Sequence, residues 1–259
     1  MNVDIISEEL RELGLFVMAE KLGIASEKSL LKNYTNLEFL HSLLESEIEA
    51  KKERSYKMRL KLSSLPYLKT LAEFDFVFGK GVDKELIDEL SGLAFVMNGS
   101  NICFLGPPGV GKTHLSIALS YIALEAGNSI YFTTLSKMAT DLRNFPTKKR
   151  LSKYLSPKVL VIDEIGYRPV DESASSLFFD IVSERYEKGS IIASSNKPFS
   201  QWGNIFNDSV LATAILDRLL HHATVVNIRG DSYRLKDRKK QGVFTHVEVA
   251  ENKEKGDVR

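Results

Sequence analysis

Residues 106–113 restrict the possible folds of this chain more than any other segment, because they fit the pattern G-x-x-x-x-G-K-[ST] in full. The apolar run at residues 101–105 predicts a short strand directly before them, and residues 113–126 predict a helix directly after them. This pattern binds phosphate groups when a strand leads through the glycine-rich turn into a helix. A glycine turn before a buried helix is the alternative, but it leaves the adjacent Lys112 and Thr113 unexplained.

The residue types of this loop predict a site for ATP and Mg²⁺. Glycines let successive backbone N–H groups turn towards phosphate oxygens, and the helix that follows adds the positive end of its dipole. Lys112 would bridge the terminal phosphates, and the hydroxyl of Thr113 would bind Mg²⁺, which prefers oxygen ligands. The predicted nucleotide contacts are Gly106, Pro107, Pro108, Gly109, Val110, Gly111, Lys112, Thr113 and His114.

Two acidic residues, Asp163 and Glu164, follow the apolar run at residues 159–162. Next to a phosphate-binding loop, we expect Asp163 to hold Mg²⁺ through water and to belong to the nucleotide site. Glu164 would orient and deprotonate the attacking water, so hydrolysis depends on it. The alternative is a pair of solvated charges at a strand end.

Asn196 follows the apolar run at residues 190–194 in the same way. In a parallel sheet its amide would lie beside the two acids and sense the terminal phosphate of the nucleotide, as a catalytic residue. An asparagine before Lys197 and Pro198 is equally typical of a turn.

Apolar runs that alternate with helical patterns predict an α/β fold with a parallel sheet between helices. The four runs are residues 101–105, 129–133, 158–162 and 190–194. Before them, helical patterns begin at Ser7, cover residues 26–31 and begin again near Asn36; the last one ends at residues 63–66. We therefore expect a small all-α domain at residues 1–62, the α/β domain at 67–247 and a polar tail at 248–259.

Composition excludes several other classes of protein. The single cysteine, Cys103, cannot form a disulfide within the chain, and the five scattered histidines show no zinc-ligand spacing, so a structural metal is not expected. No window approaches the ~20 apolar residues of a membrane span, and the first residues lack the basic start of a signal peptide. We expect a cytoplasmic protein without a membrane partner.

The charges are segregated along the chain, although the net charge is only +1. Residues 1–50 contain ten acidic and four basic residues, whereas residues 51–61 contain six lysines and arginines and one glutamate. Such asymmetry indicates a polyanionic partner.

The order of these motifs, followed by residues 216–219 (Leu-Asp-Arg-Leu), resembles AAA+ ATPases of the DnaA/DnaC branch. More closely, residues 105–115, 214–221 and 231–235 look like those of the IstB family, the ATPase helpers encoded beside the transposase of certain bacterial insertion sequences. The resemblance implies an AAA+ P-loop NTPase core at residues 67–247 and an N-terminal domain for self-assembly or transposase contact.

The resemblance also implies two further arginines at the nucleotide. Arg218 would be a catalytic arginine finger that reaches the nucleotide of a neighbouring subunit, so the protein would act as a homo-oligomer. Arg234 would contact the nucleotide of its own subunit, like a sensor-2 arginine. For Arg218 the alternative is a helix-surface arginine paired with Asp217 or another nearby acid.

Duplex DNA is the partner that the resemblance implies, bound through its backbone and not through its base sequence. In the related branch a helical element inserted between two core strands lines a DNA channel, and the corresponding basic residues here are Arg143, Lys148, Lys149, Arg150 and Lys153. For any one such cluster a solvated face is the alternative.

Residues 74–76 (Phe-Asp-Phe) would clamp the adenine of the nucleotide or pack in the core.

The family resemblance implies that ATP binding builds an oligomer on target DNA, deforms it and recruits or activates the transposase, and that hydrolysis resets the assembly. A DnaC-like loader of the replicative helicase is the nearest alternative, because it shares the ATPase core. An ATP-regulated scaffold without turnover and a small-molecule P-loop kinase are the others.

Overall fold

The computed structural model describes residues 3–79, 81–144 and 148–233, and the side chains within them except those of residues 144 and 148–150. No helix in these ranges has both the length and the apolar character needed to cross a membrane. The predicted polar tail and the end of the predicted α/β domain, residues 234–247, lie outside the described ranges.

The described helices are α1 (Val3–Glu12), α2 (Phe16–Lys32), α3 (Asn36–Leu62), α4 (Lys84–Ser91), α5 (Ala94–Asn98), α6 (Lys112–Glu125), α7 (Leu135–Asn144), α8 (Lys148–Leu155), α9 (Glu172–Arg185), α10 (Trp202–Phe206) and α11 (Ser209–Leu220).

Five parallel strands form the central sheet: β1 (Asn101–Leu105), β2 (Ile130–Thr134), β3 (Val159–Ile165), β4 (Ser190–Ser195) and β5 (Ala223–Asn227). Their spatial order is β2-β3-β4-β1-β5, so β4 lies between the strand before the phosphate-binding loop and the strand that carries the two acids. The predicted parallel α/β sheet is confirmed. The edge strand β5 was not predicted, because it is half exposed and carries polar Thr224 and Asn227 instead of a continuous apolar run.

Helices cover both faces of the sheet, which explains the continuous apolar sequences of its inner strands. On one face, α6 buries Leu115, Ile117 and Leu119 against Phe104 and Ile192. On the other face, α7, α9 and α11 pack against the side chains that β3 and β4 direct to that face. This second cluster includes Leu160 and Ile162 of β3, Phe178 and Ile181 of α9, and Ile215 of α11. The phosphate-binding loop, Asp163 and Glu164 lie together at the carboxyl ends of the strands, between these two layers.

The first three helices form a small α-helical unit around Met18, Leu22 and Leu43. α1 begins at Val3, so the predicted start at Ser7 was wrong; the Ser7 hydroxyl instead donates to the carbonyl oxygen of Ala19 across 3.2 Å. The helix predicted at residues 26–31 is the end of the longer α2. Its start was missed because Leu15 at its N-cap offers no capping side chain, and a residue distant in sequence supplies the acceptor instead. α3 begins as predicted, at Asn36.

Helix α3 connects this unit to the sheet. Its first half packs on α2, whereas Tyr56 and Leu60 in its second half pack against the hydrophobic cluster on the α6 face. After the helix ends, the carbonyl oxygen of Ser63 accepts a 2.7 Å hydrogen bond from the backbone N–H of Phe132 in β2. The division between residues 1–62 and 67–247 therefore falls at the end of a helix that contacts both parts, and the domain boundaries stay predictions.

Candidate nucleotide site

The phosphate-binding loop joins β1 to α6 in a conformation that requires glycine. Gly106 and Gly111 have φ values of 151° and 102°. A Cβ atom at Gly106 would lie 2.2 Å from the carbonyl oxygen of Ile228, and one at Gly111 would lie 2.5 Å from Cε2 of Phe74. Neither position has room for a side chain, so the glycines of the motif let neighbouring segments close directly onto the loop.

Lys112 is buried in the curve of this loop, with 7% of its surface exposed. Its ammonium group donates to the carbonyl oxygens of Gly106 and Pro107 at 2.7 and 2.8 Å. These contacts hold a positive charge at the N-terminus of α6, where the helix dipole also favours an anion. The loop thus combines backbone donors, a helix N-terminus and one cation.

Asp163 and Thr113 meet at the base of the site, although fifty positions separate them in sequence. The hydroxyl of Thr113 donates to Oδ2 of Asp163 across 2.8 Å, and the Asp163 carboxylate is 3% exposed. A second hydroxyl, that of Ser194 at the end of β4, donates to Oδ1. A carboxylate and two hydroxyls are hard oxygen donors, so this group suits Mg²⁺ and not a soft metal ion.

Glu164 has a backbone conformation that is uncommon for a residue with a side chain: its φ is 60°. At this point the pairing of β3 with β4 shifts register between Ile162 and Ile165. Successive residues of a regular strand point to opposite faces, whereas this bulge lets Asp163 and Glu164 line the same cavity. The backbone N–H of Glu164 donates to the hydroxyl of Ser194 at 3.2 Å. No local sequence pattern predicts this role of Ser194.

Asn196 lies one residue beyond the end of β4, next to the loop that follows Glu164. Its Oδ1 is buried, and among the described residues it has no hydrogen-bond partner. A Cβ atom on Gly166 would lie 2.9 Å from this oxygen, so the amide packs closely on that loop. The side chain is near the acids but does not line the cavity that they share, and its role as a sensor stays a prediction.

Aromatic residues form the other wall of the cavity. Phe74 packs edge-on against His114, with 5.4 Å between ring centroids, while Phe76 is turned into the core beside it. Opposite, the backbone N–H of Tyr233 donates to the carbonyl oxygen of Gly109 at 2.9 Å, and its ring packs against Phe78. Four further aromatic residues line the cavity, and none of them was predicted from the sequence: Tyr67, Phe78, Tyr167 and Tyr233.

Arg218 does not line this cavity; it lies on α11, on the other face of the sheet. Its guanidinium group lies 4.5 Å from the ring centroid of Phe179 and donates to the carbonyl oxygen of Ala214 at 3.3 Å. Within the described ranges no carboxylate forms an ion pair with it, so the alternative of pairing with Asp217 finds no support. Arg234 lies outside the described residues.

The predicted DNA contacts lie on α7 and α8, between β2 and β3. Arg143 forms an ion pair with Asp171, and Lys153 forms one with Asp141 and also lies 4.9 Å from the ring centroid of Tyr154. The helix position of Lys148, Lys149 and Arg150 is described, but their side chains are not. Both described cations therefore have partners within the chain.

Arg185 fixes the end of α8 to the core. It is 2% exposed, and its guanidinium donates to five carbonyl oxygens, those of Tyr154, Leu155, Pro157, Lys158 and Ser190, at 2.8 to 3.2 Å. Burial lowers the pKa of Arg185 to about 10, so the group remains charged at neutral pH. A cation at this position satisfies the carbonyl groups left open at the C-terminus of a helix.

Sequence comparisons identify close relatives over most of the chain. The sequence model of the family described as IstB-like ATP binding protein matches residues 8–241. The chain is 48% identical to the insertion sequence IS21 ATP-binding protein of Pseudomonas aeruginosa over 223 residues, which are 85% of this chain and 84% of that protein. It is 44% identical to the insertion sequence IS5376 ATP-binding protein of Geobacillus stearothermophilus over 240 residues, 91% and 96% of the two chains.

Solved structures with the same fold are more distant in sequence. DnaI is 21% identical, with a TM-score of 0.52 over 63% of this chain and 89% of that chain. The AMPPCP-bound DnaA from Aquifex aeolicus is 22% identical, with a TM-score of 0.52 over 68% and 55% of the two chains. These similarities show that the core of this chain shares its fold with DnaI and DnaA, the branch that the chain was expected to resemble.

Proposed function

Because this chain belongs to the family of IstB-like ATP-binding proteins of insertion sequences, we propose that it hydrolyses ATP with Mg²⁺ and completes each active site with a neighbouring subunit. We further propose that it assembles on duplex DNA without reading base sequence, deforms that DNA and recruits or activates the transposase. The observation that carries the hydrolytic role is the common cavity of Asp163, Glu164 and the phosphate-binding loop.

The phosphate-binding loop, the two acids and Asn196 have distinct roles in this proposal. The loop N–H groups and Lys112 bind and orient the β- and γ-phosphates. Thr113, and Asp163 through water, would hold Mg²⁺, which would offset negative charge on the phosphate oxygens. Glu164 orients a water molecule for in-line attack on the γ-phosphorus and takes its proton, while the bond to the leaving β-phosphate oxygen breaks. Asn196 would sense the γ-phosphate through its amide.

The few positive charges in the described lining of the cavity support completion of the site in trans. Among the described residues that line it, Lys112 is the only lysine or arginine. Phosphoryl transfer spreads negative charge over the equatorial oxygens, and an arginine supplied by a second subunit is a common way to stabilise it. Arg218 fits this role because it lies away from its own cavity, without a carboxylate partner among the described residues. Arg234 would contact the nucleotide in cis.

Helices α7 and α8 support the DNA-binding part of the proposal. Six basic residues lie on them, the five predicted DNA contacts and Lys137. The five carbonyl contacts of Arg185 fix the end of α8 to the core. Arg143 and Lys153 would exchange their acidic partners for phosphate groups, an exchange that depends on salt concentration. Contacts of this kind position a protein on DNA without selecting a sequence.

The N-terminal helices support a role in assembly or partner binding for residues 1–62. Three buried residues form their own core, while many large apolar side chains on them remain exposed. Leu30, Leu31 and Leu37 are 78%, 85% and 79% exposed. Surfaces with many exposed apolar side chains commonly contact other proteins.

The hydrolytic role is tested by measuring phosphate release from ATP by the full chain, with and without duplex DNA. We expect DNA-stimulated release that requires Mg²⁺ and that disappears in Lys112→Ala and Glu164→Gln. Glu164→Gln should still bind ATP, because the substitution leaves the loop and Asp163 in place, whereas Lys112→Ala should bind weakly. Equal turnover in the wild type and Glu164→Gln would overturn the assignment. Binding without turnover in the wild type would favour an ATP-regulated scaffold.

A further inference from the structure

Two histidines and one glutamate come together at the edge of the molecule opposite the nucleotide site. His221 and His222 follow the C-terminus of α11, and Glu187 follows the C-terminus of α9. One ligand atom from each of the three lies within 4.8 Å of the others, and all three side chains are exposed. The sequence shows no metal-ligand spacing here, because Glu187 lies more than thirty positions before the histidines.

The backbone holds the three residues in place. Glu187 has a φ of 59°, and its carbonyl carbon lies 3.2 Å from the position that a Cβ on Gly99 would occupy. The backbone N–H of Asn101 donates to the carbonyl oxygen of His222 at 2.7 Å. The group therefore rests on the start of β1 and is not carried by a free loop.

Hydrogen bonding leaves one ring nitrogen of each histidine available. Nδ1 of His221 lies 2.6 Å from the hydroxyl oxygen of Tyr186. Because Tyr186 engages Nδ1, Nε2 is the ring nitrogen of His221 that is left to bind a metal ion. Nε2 of His222 faces Oε1 of Glu187 at 3.4 Å.

We propose that Glu187, His221 and His222 form a surface site for a borderline divalent transition-metal ion of the Zn²⁺ class, with water as the fourth ligand. Two imidazoles and a carboxylate are a common zinc ligand set. Ligand atoms around tetrahedral zinc lie about 3.3 Å apart. The exposed side chains of Glu187, His221 and His222 therefore need to move by only about 1 Å to bind one ion. Tyr186 would orient His221 from the second coordination shell.

The experiment uses untagged full-length protein in excess Mg²⁺, which occupies the proposed nucleotide site. Zn²⁺ affinity is measured by competition with a chromophoric chelator, and coordination is followed by the visible absorption of Co²⁺. We expect one equivalent of tight binding and a Co²⁺ spectrum typical of tetrahedral coordination. His222→Ala and Glu187→Gln should each weaken binding at least about tenfold, and Tyr186→Phe about tenfold to a hundredfold.

The matched control is His41→Ala. His41 and Glu45 form an exposed histidine–carboxylate pair at 3.5 Å, like His222 and Glu187, but belong to no group of three ligands among the described residues. His246→Ala is a second control, because His246 is the one histidine of the chain that lies outside the described residues. The proposal is overturned if either control weakens binding as much as His222→Ala, or if His222→Ala binds like the wild type. Circular dichroism without metal checks that every variant folds.

Discussion

The hydroxyl of Ser194 donates a hydrogen bond to the carboxylate of Asp163. The same hydroxyl oxygen accepts the backbone N–H of Glu164 at 3.2 Å, so a single side chain on β4 contacts both acidic residues of the proposed site. These contacts fix the direction of the Asp163 carboxylate and the bulge at Glu164. Ser194 is therefore a positioning residue for the proposed hydrolysis, although it has no chemical role of its own.

Ser194→Ala should lower kcat about tenfold or more and raise the Mg²⁺ concentration needed for half-maximal activity, while the KM for ATP changes less. Loss of a hydrogen bond to a charged group costs about 1.5–3 kcal/mol, which corresponds to such a change in rate if the lost contact acts in the transition state. Steady-state ATP hydrolysis over a Mg²⁺ titration measures both effects.

Ser195→Ala is the control for this prediction. Ser195 is equally buried, but its hydroxyl donates to the carbonyl oxygen of Ile165 at 2.7 Å instead of to an acid. It should reduce thermal stability without changing the Mg²⁺ dependence. Identical Mg²⁺ curves for both variants and the wild type would show that Ser194 is only structural.

The contribution of Ser194 illustrates what the sequence could and could not predict. The loop at residues 106–113, the apolar strands and the acids at their ends are local patterns, and each of them predicted its element or position. The residue type of Ser194 did not indicate its role, which depends on the pairing of β4 with β3 that brings it beside Asp163 and Glu164. The start of α2 was missed for the same reason, because its capping carboxylate comes from α3.

The left-handed backbone of Glu164 predicts an unusual order of stability among its variants. At φ of 60° a glycine avoids the strain that a Cβ creates, so Glu164→Gly should be more stable than Glu164→Ala by about 1 kcal/mol. At Glu184, an exposed position in helix α9, the order should reverse, with the glycine variant less stable by about 1 kcal/mol. Urea denaturation of the four proteins measures the difference, and the same order at both positions would contradict the strained conformation.

Glu47 predicts a pH dependence for the N-terminal helices. Its carboxylate accepts the backbone N–H groups of Val17 and Met18 at 2.7 and 3.0 Å and pairs with Arg54 at 2.8 Å. Burial acts to raise the pKa of Glu47, but the hydrogen bonds from Met18, Arg54 and Val17 together lower it below its ordinary value. Because the folded pKa is depressed, the carboxylate stabilises the fold fully above the unfolded pKa of about 4.3, and this contribution is lost as the pH falls through the folded value.

Glu47→Gln should therefore lower the free energy of unfolding by about 1–3 kcal/mol near pH 7, and the difference from the wild type should shrink at about pH 3. Chemical denaturation followed by circular dichroism at both pH values measures it. Glu45→Gln is the control, since Glu45 is exposed and pairs only with His41 among the described residues. A difference for Glu47→Gln that stays constant with pH would mean that packing, and not the charge, is responsible.

Arg218 tests whether the active site is shared between subunits. Arg218→Ala should reduce ATP hydrolysis on the order of 10³-fold, as loss of arginine fingers does in other phosphoryl-transfer enzymes, while ATP binding is retained. Loss of the contact with Phe179 should lower stability only by about 0.5–1 kcal/mol. Lys188→Ala, at an exposed cation paired with Glu184, should leave hydrolysis unchanged.

Mixing two inactive variants separates a shared site from an indirect effect. In an equimolar mixture of Arg218→Ala and Lys112→Ala subunits, about one interface in four combines an intact Lys112 with an intact Arg218 from its neighbour if the subunits mix at random around a closed ring. Hydrolysis should therefore recover to about a quarter of the wild-type rate at most. If Arg218 acted within its own subunit, every site in the mixture would lack one of the two groups, and phosphate release would stay at the level of the separate variants at any ratio. Recovery in the mixture would thus show that the two residues act together only across a subunit boundary.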